Sequence, residues 1–234
     1  MSLKERFEDP GSGVRFFATG HPVGAGFNGL LHVRDILLSA YFDGAIGSDD
    51  RLLVQVETEP AWQARLYYDL GQDRSIARLK RELEYAADIQ TIEAVLHIAA
   101  EIAREGRERG HVGAIFVIGD TERVIANSRP IVLNPFEGHS ESARDITRPE
   151  TWETAKEFAQ IDGAFIVTGA GIIEAAGRYI DVKSPVELPS GLGGRHLASA
   201  AITKETKAVA VTVSETGVIR IFKDGEILLR IGAT

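Results

Sequence analysis

The stretch DGAFIVTGAGIIEAAGRYIDV, residues 162–182, decides the fold. Ala164 to Val167 is a short continuous apolar run, the pattern of a buried strand. It enters a glycine turn at 169–171, and residues 172–182 return as its antiparallel partner. The opening Asp162 is poorly placed for solvation at the start of a buried strand, and Gly163 lets another group approach the backbone. An aspartate there can hold a divalent metal or orient a hydroxyl. It can equally cap a turn before the strand. The same tripeptide occurs at 43–45 in FDGAIGSDD, where it runs into a turn with no Arg-His after it within reach. Context therefore selects residue 162.

Working outward, GAIFVIGD (113–120) is a second buried strand. KAVAVTVSETG (207–217) is a third, and VIRIFKDGEILLRI (218–231) is a hairpin around Asp224-Gly225. TRPETWETAKEFAQ (147–160) and RHLASAAITKET (195–206) have helical spacing. Residues 75–110 contain a long amphipathic helix. Its stripe is Ile89, Ile92, Leu96, Ala99 and Ala103, widened by Val95, Ile98 and Ile102, with Gly110 as C-cap. Helices mixed with hairpin-connected strands predict an α/β domain on a mixed sheet over 86–234. Residues 1–85 predict a smaller N-terminal α/β region of unassigned role. It includes a helix at 29–42, with Leu30, Val33, Ile36, Leu37 and Ala40 on one face, and a strand at 51–59. ATGHPVGAGFNG (18–29) reads as a loop.

Composition narrows the function classes. The 234 residues are 44% hydrophobic and 26% charged, enough for a full core. A net charge of −8 argues against a broad nucleic-acid surface. It leaves room for a small anion in a local basic pocket. No apolar run reaches membrane-spanning length and no signal peptide precedes the first strand, so a cytoplasmic protein without a membrane segment is expected. There is no cysteine, which removes disulfides, thiol nucleophiles and cysteine metal sites. Histidines 21, 32, 97, 111 and 139 show no metal-ligand spacing.

GLGGRHLAS (191–199) puts three glycines before Arg195 and His196 at the mouth of a helix. It is neither a Walker A loop nor a dinucleotide fingerprint. Glycines before a helix N-terminus let backbone N–H groups come close to an anion, and Arg195 adds a planar fork of donors suited to phosphate. A plain glycine-rich loop with a surface arginine and a packed histidine is the other reading. VSETG (213–217) reads, from spacing alone, first as a hairpin turn at a sheet edge.

DGAFIVTGAGIIEAAGRYI, LPSGLGGRHLASAAIT and VAVTVSETGVIRIFKDGEI, in that order, resemble the diadenylate cyclase family over roughly residues 86–234. RPIVLNPFEGH (129–139) resembles its stand-alone archaeal-type subgroup. The resemblance implies a nucleotidyltransferase-like fold and the condensation of two ATP to cyclic di-AMP and pyrophosphate, a second-messenger product, with Mg²⁺, Mn²⁺ or Co²⁺. It implies a catalytic set of Asp162, Arg195, His196 and Glu215. Asp162 would assist the 3′-hydroxyl and bind metal, and His196 would shape the site or sit near the metal. Gly163, Ala164, Gly193, Gly194 and Ser214 would line the nucleotide, with Tyr179 and Ile180 bordering adenine. It also implies a homo-oligomer, because one site holds one ATP while the product joins two nucleotides. Gly194 stands where the family has threonine, and Leu197 where it has a second arginine. Those two departures support a second expectation, an ATP or cyclic-dinucleotide sensor with weak or no turnover.

Overall fold

The computed structural model describes residues 5–8, 15–18, 37, 40, 46–47, 50–58, 62–70, 81–105, 112–181 and 183–231. The chain divides into two compact units, residues 1–76 with 234, and residues 77–233.

The first unit carries two antiparallel pairs. β1 (Glu5–Glu8) pairs with β2 (Arg15–Ala18), and β3 (Arg51–Thr58) with β4 (Trp62–Asp69). The strand expected at 51–59 is β3. Of the helix expected at 29–42, only Leu37 and Ala40 fall among the described residues, and both are helical and buried. The loop expectation at 18–29 and the Gly110 cap lie outside them, apart from Ala18 at the end of β2.

The second unit is built on a seven-stranded sheet. Its strands are β5 (Ala114–Ile118), β6 (Ser128–Pro130), β7 (Ala164–Val167), β8 (Ile173–Ile180), β9 (Val209–Val213), β10 (Ile219–Lys223) and β11 (Glu226–Ile231), in the order β11-β10-β9-β5-β7-β8-β6. β5 and β7 are parallel, and every other neighbouring pair is antiparallel. The sheet is therefore mixed, as the sequence predicts. Among the helices that accompany it are α1 (Ile89–Glu105), α2 (Thr121–Ala126), α3 (Glu141–Arg144), α4 (Pro149–Phe158) and α5 (Gly194–Glu205). The crossover from β5 to β7 runs through α2, β6, α3 and α4. Of these, α2 and β6 are too short to show a period in the sequence.

Alternation along the strands assigns the two faces. Ile115, Val117, Ala164, Ile166, Ala210 and Phe222 pack with Ala200 and Ile202 of α5. Phe116 and Phe165 point the other way and stack at 4.8 Å; Phe165 meets the Phe136 ring, which in turn meets Phe158. α1 lies over that second face against β9, β10 and β5, and its buried stripe is Ile92, Val95, Leu96, Ile98, Ala99 and Ile102. The long amphipathic helix expected within 75–110 is α1, and it begins after a break in the helical backbone at Ala87-Asp88. The Asp88 N–H donates to the Gly169 carbonyl, and Asp88 accepts the Thr91 and Ile92 N–H groups to begin α1. A Cβ on Gly119 would stand 2.3 Å from the Ala86 carbonyl, so the two strand-end turns press directly on that break.

Candidate active site

The register brings five separate sequence segments to one end of the sheet. Ile115 pairs with Ala164 and Ala114 with Val213, so Gly113, Asp162-Gly163 and Ser214-Glu215 lie just beyond one rung of three adjacent strands. Ala164 also pairs with Arg178, which puts Tyr179 and Ile180 at that end. α5 starts there, with Gly193 as its N-cap.

Arg195 ties these segments together. Its Nη1 donates to Glu215 Oε1 at 2.8 Å, and its Nη2 stands 3.6 Å from Asp162 Oδ1. The two carboxylates belong to different strand ends and meet only through this guanidinium. Asp162 is 88% exposed and Glu215 67%, so both can receive a ligand. Gly113 makes the arrangement possible. A Cβ there would stand 2.7 Å from Arg195 Nη1.

The backbone at Asp162-Gly163 is dictated by the fold. Gly163 has φ +112°, and a Cβ would meet the Arg178 nitrogen at 2.6 Å. Only glycine carries the chain past β8 there. Ala164 and Ile180 are buried, so neither side chain is open to a ligand. Tyr179 is half exposed, and the Arg129 guanidinium lies over its ring at 4.5 Å. By contrast, a Cβ on Gly193 or Gly194 meets nothing within 4 Å. No neighbour among the described residues demands glycine at these two positions.

Ser214 closes the turn that follows β9. Its Oγ accepts the Val218 N–H at 3.0 Å and shares a hydrogen bond with Thr216 Oγ1. The turn expected from spacing is present, and it holds Glu215 against Arg195.

His196 faces inward and is 7% exposed, against the Phe222 ring. Its Nε2 lies 3.0 Å from Arg220 Nη1. A guanidinium only donates, so Nε2 accepts and the ring proton sits on Nδ1. That N–H is buried without a partner among the described residues. Burial, then the Arg220 and Arg195 charges, push the histidine below its ordinary value and keep the ring neutral. In this arrangement the Nε2 lone pair is turned to Arg220. Among the described residues no three His, Asp or Glu side chains stand close enough to hold one unaided.

Sequence reasoning passed over Gly113, Arg129 and Arg220. Arg220 left a signal, a charge at an inward position of the alternating run VIRIFK. Gly113 and Arg129 left none, because their roles depend on neighbours distant along the chain. A separate concavity of about 810 Å³ lies between the 130–138 loop and β8. Its polar groups are used internally: Arg178 donates to Ser128 and Ile125, Arg144 pairs with Glu174, and Asn134 bonds Glu174 and Ala176.

A family model described as DisA bacterial checkpoint controller nucleotide-binding matches residues 101–227. The chain belongs to this DisA-type nucleotide-binding family. The match spans β5 to β10, α5 and every residue of the Arg195 cluster, reaches only the first residues of β11, and stops short of the first unit. Two relatives carry the name diadenylate cyclase. That from Methanocaldococcus jannaschii is 49% identical over 140 residues, which is 59% of this chain and 44% of the relative. That from Haloferax volcanii is 35% identical over 190 residues, 80% of this chain and 65% of the relative. The chain thus covers less than two thirds of either relative's length. Among solved structures, a double mutant of DacA from Staphylococcus aureus matches with a TM-score of 0.42 and 22% identity, over 62% of this chain and 87% of that one. No helix among the described residues is long and apolar enough to cross a membrane.

Proposed function

We propose that this chain is a diadenylate cyclase that acts in the cytoplasm. The observation that carries the reading is Arg195 held between Asp162 and Glu215 at the mouth of α5, within the region the DisA-type family model matches. In each half-reaction a 3′-hydroxyl of one ATP attacks the α-phosphorus of another. The P–O bond to the β-phosphate breaks, pyrophosphate leaves, and the hydroxyl proton is lost. Two such steps close the ring of cyclic di-AMP and release two pyrophosphates.

The residues supply positioning and charge, which is what this displacement needs from a protein. The N–H groups of the first turn of α5, behind the open glycines 193 and 194, receive phosphate oxygens. Arg195 donates to the same group and moves partly off its carboxylates as it does so. Asp162 lies beside the incoming hydroxyl and takes its proton or holds it in line. Glu215 keeps Arg195 oriented. Tyr179 borders the adenine ring, with Arg129 behind it.

A divalent cation, Mg²⁺, Mn²⁺ or Co²⁺, fits this donor set. The exposed Asp162 carboxylate makes one long ion pair and can accept a hard cation. Such ions are commonly held by one or two carboxylates together with substrate phosphates. When bound it would offset phosphate charge and lower the pKa of the attacking hydroxyl. We assign its protein ligand to Asp162 and leave His196 to orient Arg220.

The test is direct. The full chain is incubated with ATP and each of the three metals, and the products are separated by mass. Cyclic di-AMP and pyrophosphate are expected. An assembled oligomer that binds ATP yet forms neither with any metal would be a nucleotide sensor, and the cyclase reading would fail.

A further inference from the structure

Arg195 does not carry a free positive charge. It faces two carboxylates, so the group Arg195–Asp162–Glu215 bears a net charge of about −1 when all three are ionised. A triphosphate entering that group alone meets repulsion. The cation that could offset it stands one rung further along the sheet. Arg220 pairs with Thr212 of β9, and Thr212 bonds Ser199 of α5, so Arg220 lies on the face that α5 covers. It meets His196, a neutral ring, and no carboxylate pairs with it among the described residues. Directly opposite on β11 is Arg230, also without a carboxylate partner among the described residues. Two arginines on one face of an antiparallel pair repel each other. Burial and this neighbour together press Arg220 below arginine's ordinary value. The fold gains nothing evident from the pairing, whereas an anion would relieve it.

We propose that Arg220, oriented by His196 and backed by Arg230, is a second phosphate-binding arginine of this site and holds the polyphosphate tail of the bound nucleotide. The proposal rests on the ATP reading above and deepens it. His196 then has a positioning role. It lies next to Arg195 in the chain and accepts from Arg220, so one inward-facing ring sets the spacing between the two guanidiniums. Its own Nδ1–H has no partner among the described residues.

The experiment is equilibrium binding of 3′-deoxy-ATP, which cannot cyclise, and of 3′-deoxy-AMP to the full chain. Wild type, Arg195→Gln, Arg220→Gln, Arg220→Lys and Arg230→Gln are compared. Arg220→Gln is expected to weaken the triphosphate by roughly 10- to 100-fold, the worth of one charge-assisted contact, and to leave the monophosphate unchanged. Arg220→Lys should fall between, and Arg230→Gln should cost a few-fold. An equal loss for both ligands, or no loss for either, overturns the proposal. If the unliganded melt shows that Arg220→Gln does not fold, Arg220→Lys and Arg230→Gln decide. An unchanged triphosphate-to-monophosphate ratio in both overturns it. Sensitivity to Arg195→Gln without sensitivity at Arg220 refutes this inference alone. A wild type that does not prefer the triphosphate refutes the ATP reading as well.

Discussion

A methyl group at Gly113 would stand 2.7 Å from the Arg195 guanidinium, and the atom it meets is the far end of a flexible side chain. The fold can accept that methyl by moving Arg195, but the site cannot. Gly113→Ala is therefore expected to leave the melting temperature nearly unchanged and to lower kcat/KM by roughly 10- to 100-fold, the equivalent of one misplaced charge-assisted contact. A matched loss of stability and activity would show that Gly113 serves packing instead. His196 gives a second residue-scale expectation. Its folded value is depressed by burial first, then by Arg220 and Arg195, below the ordinary 6.5. Between those two values the unfolded chain binds a proton that the folded chain refuses. The contribution is fully present above about pH 6.5 and is lost as pH falls through the folded value. Melting curves from pH 8 to 5 should show wild type losing more stability below pH 6.5 than His196→Asn. Parallel curves would remove His196 from the acid response.

At the scale of the element, α5 presents two demands in conflict. Gly193 and Gly194 start a helix where a side chain would meet open space, and glycine is the poorer helix former. Gly194→Ala should raise stability by about 0.5–1 kcal/mol, read by denaturant unfolding. The same change sets a methyl between the helix N–H groups and the phosphate. ATP binding should weaken while AMP binding holds. If both stability and ATP affinity improve, the backbone of 193–195 does not receive phosphate. The 214–218 turn shows the opposite balance. Ser214 is committed to closing it, so its hydroxyl serves the placement of Glu215 first.

For the whole molecule, the proposed cyclase reaction calls for more than one copy. Each 3′-hydroxyl must reach the other nucleotide's α-phosphorus in line, and the simplest arrangement is two identical sites facing across a two-fold axis. The specific rate should rise with protein concentration through the dissociating range. Asp162→Asn should nearly abolish product while ATP still binds. Mixed assemblies with one Asp162→Asn subunit should accumulate the linear dinucleotide pppApA, because one hydroxyl can still attack while ring closure lags. A concentration-independent rate from a light-scattering monomer would refute facing sites.

The sequence by itself determined the strands at 114–118, 164–167, 173–180 and 209–213, the hairpin at Asp224-Gly225, and α5 behind its glycines. Each is written in local periodicity and turn chemistry, which act over a few residues. It also carried the family, because the ordered motifs lie within the matched region. Only the tertiary structure decided that α1 begins after a break at Ala87-Asp88, where the Gly119 and Gly169 turns press from strand ends 31 and 81 residues beyond Asp88. Only it decided that Arg195 bridges Asp162 and Glu215, and that His196 faces Arg220. Such contacts depend on sheet register, and register is a property of paired strands. The residues that meet there are up to 102 positions apart, from Gly113 to Glu215, and no local pattern joins them.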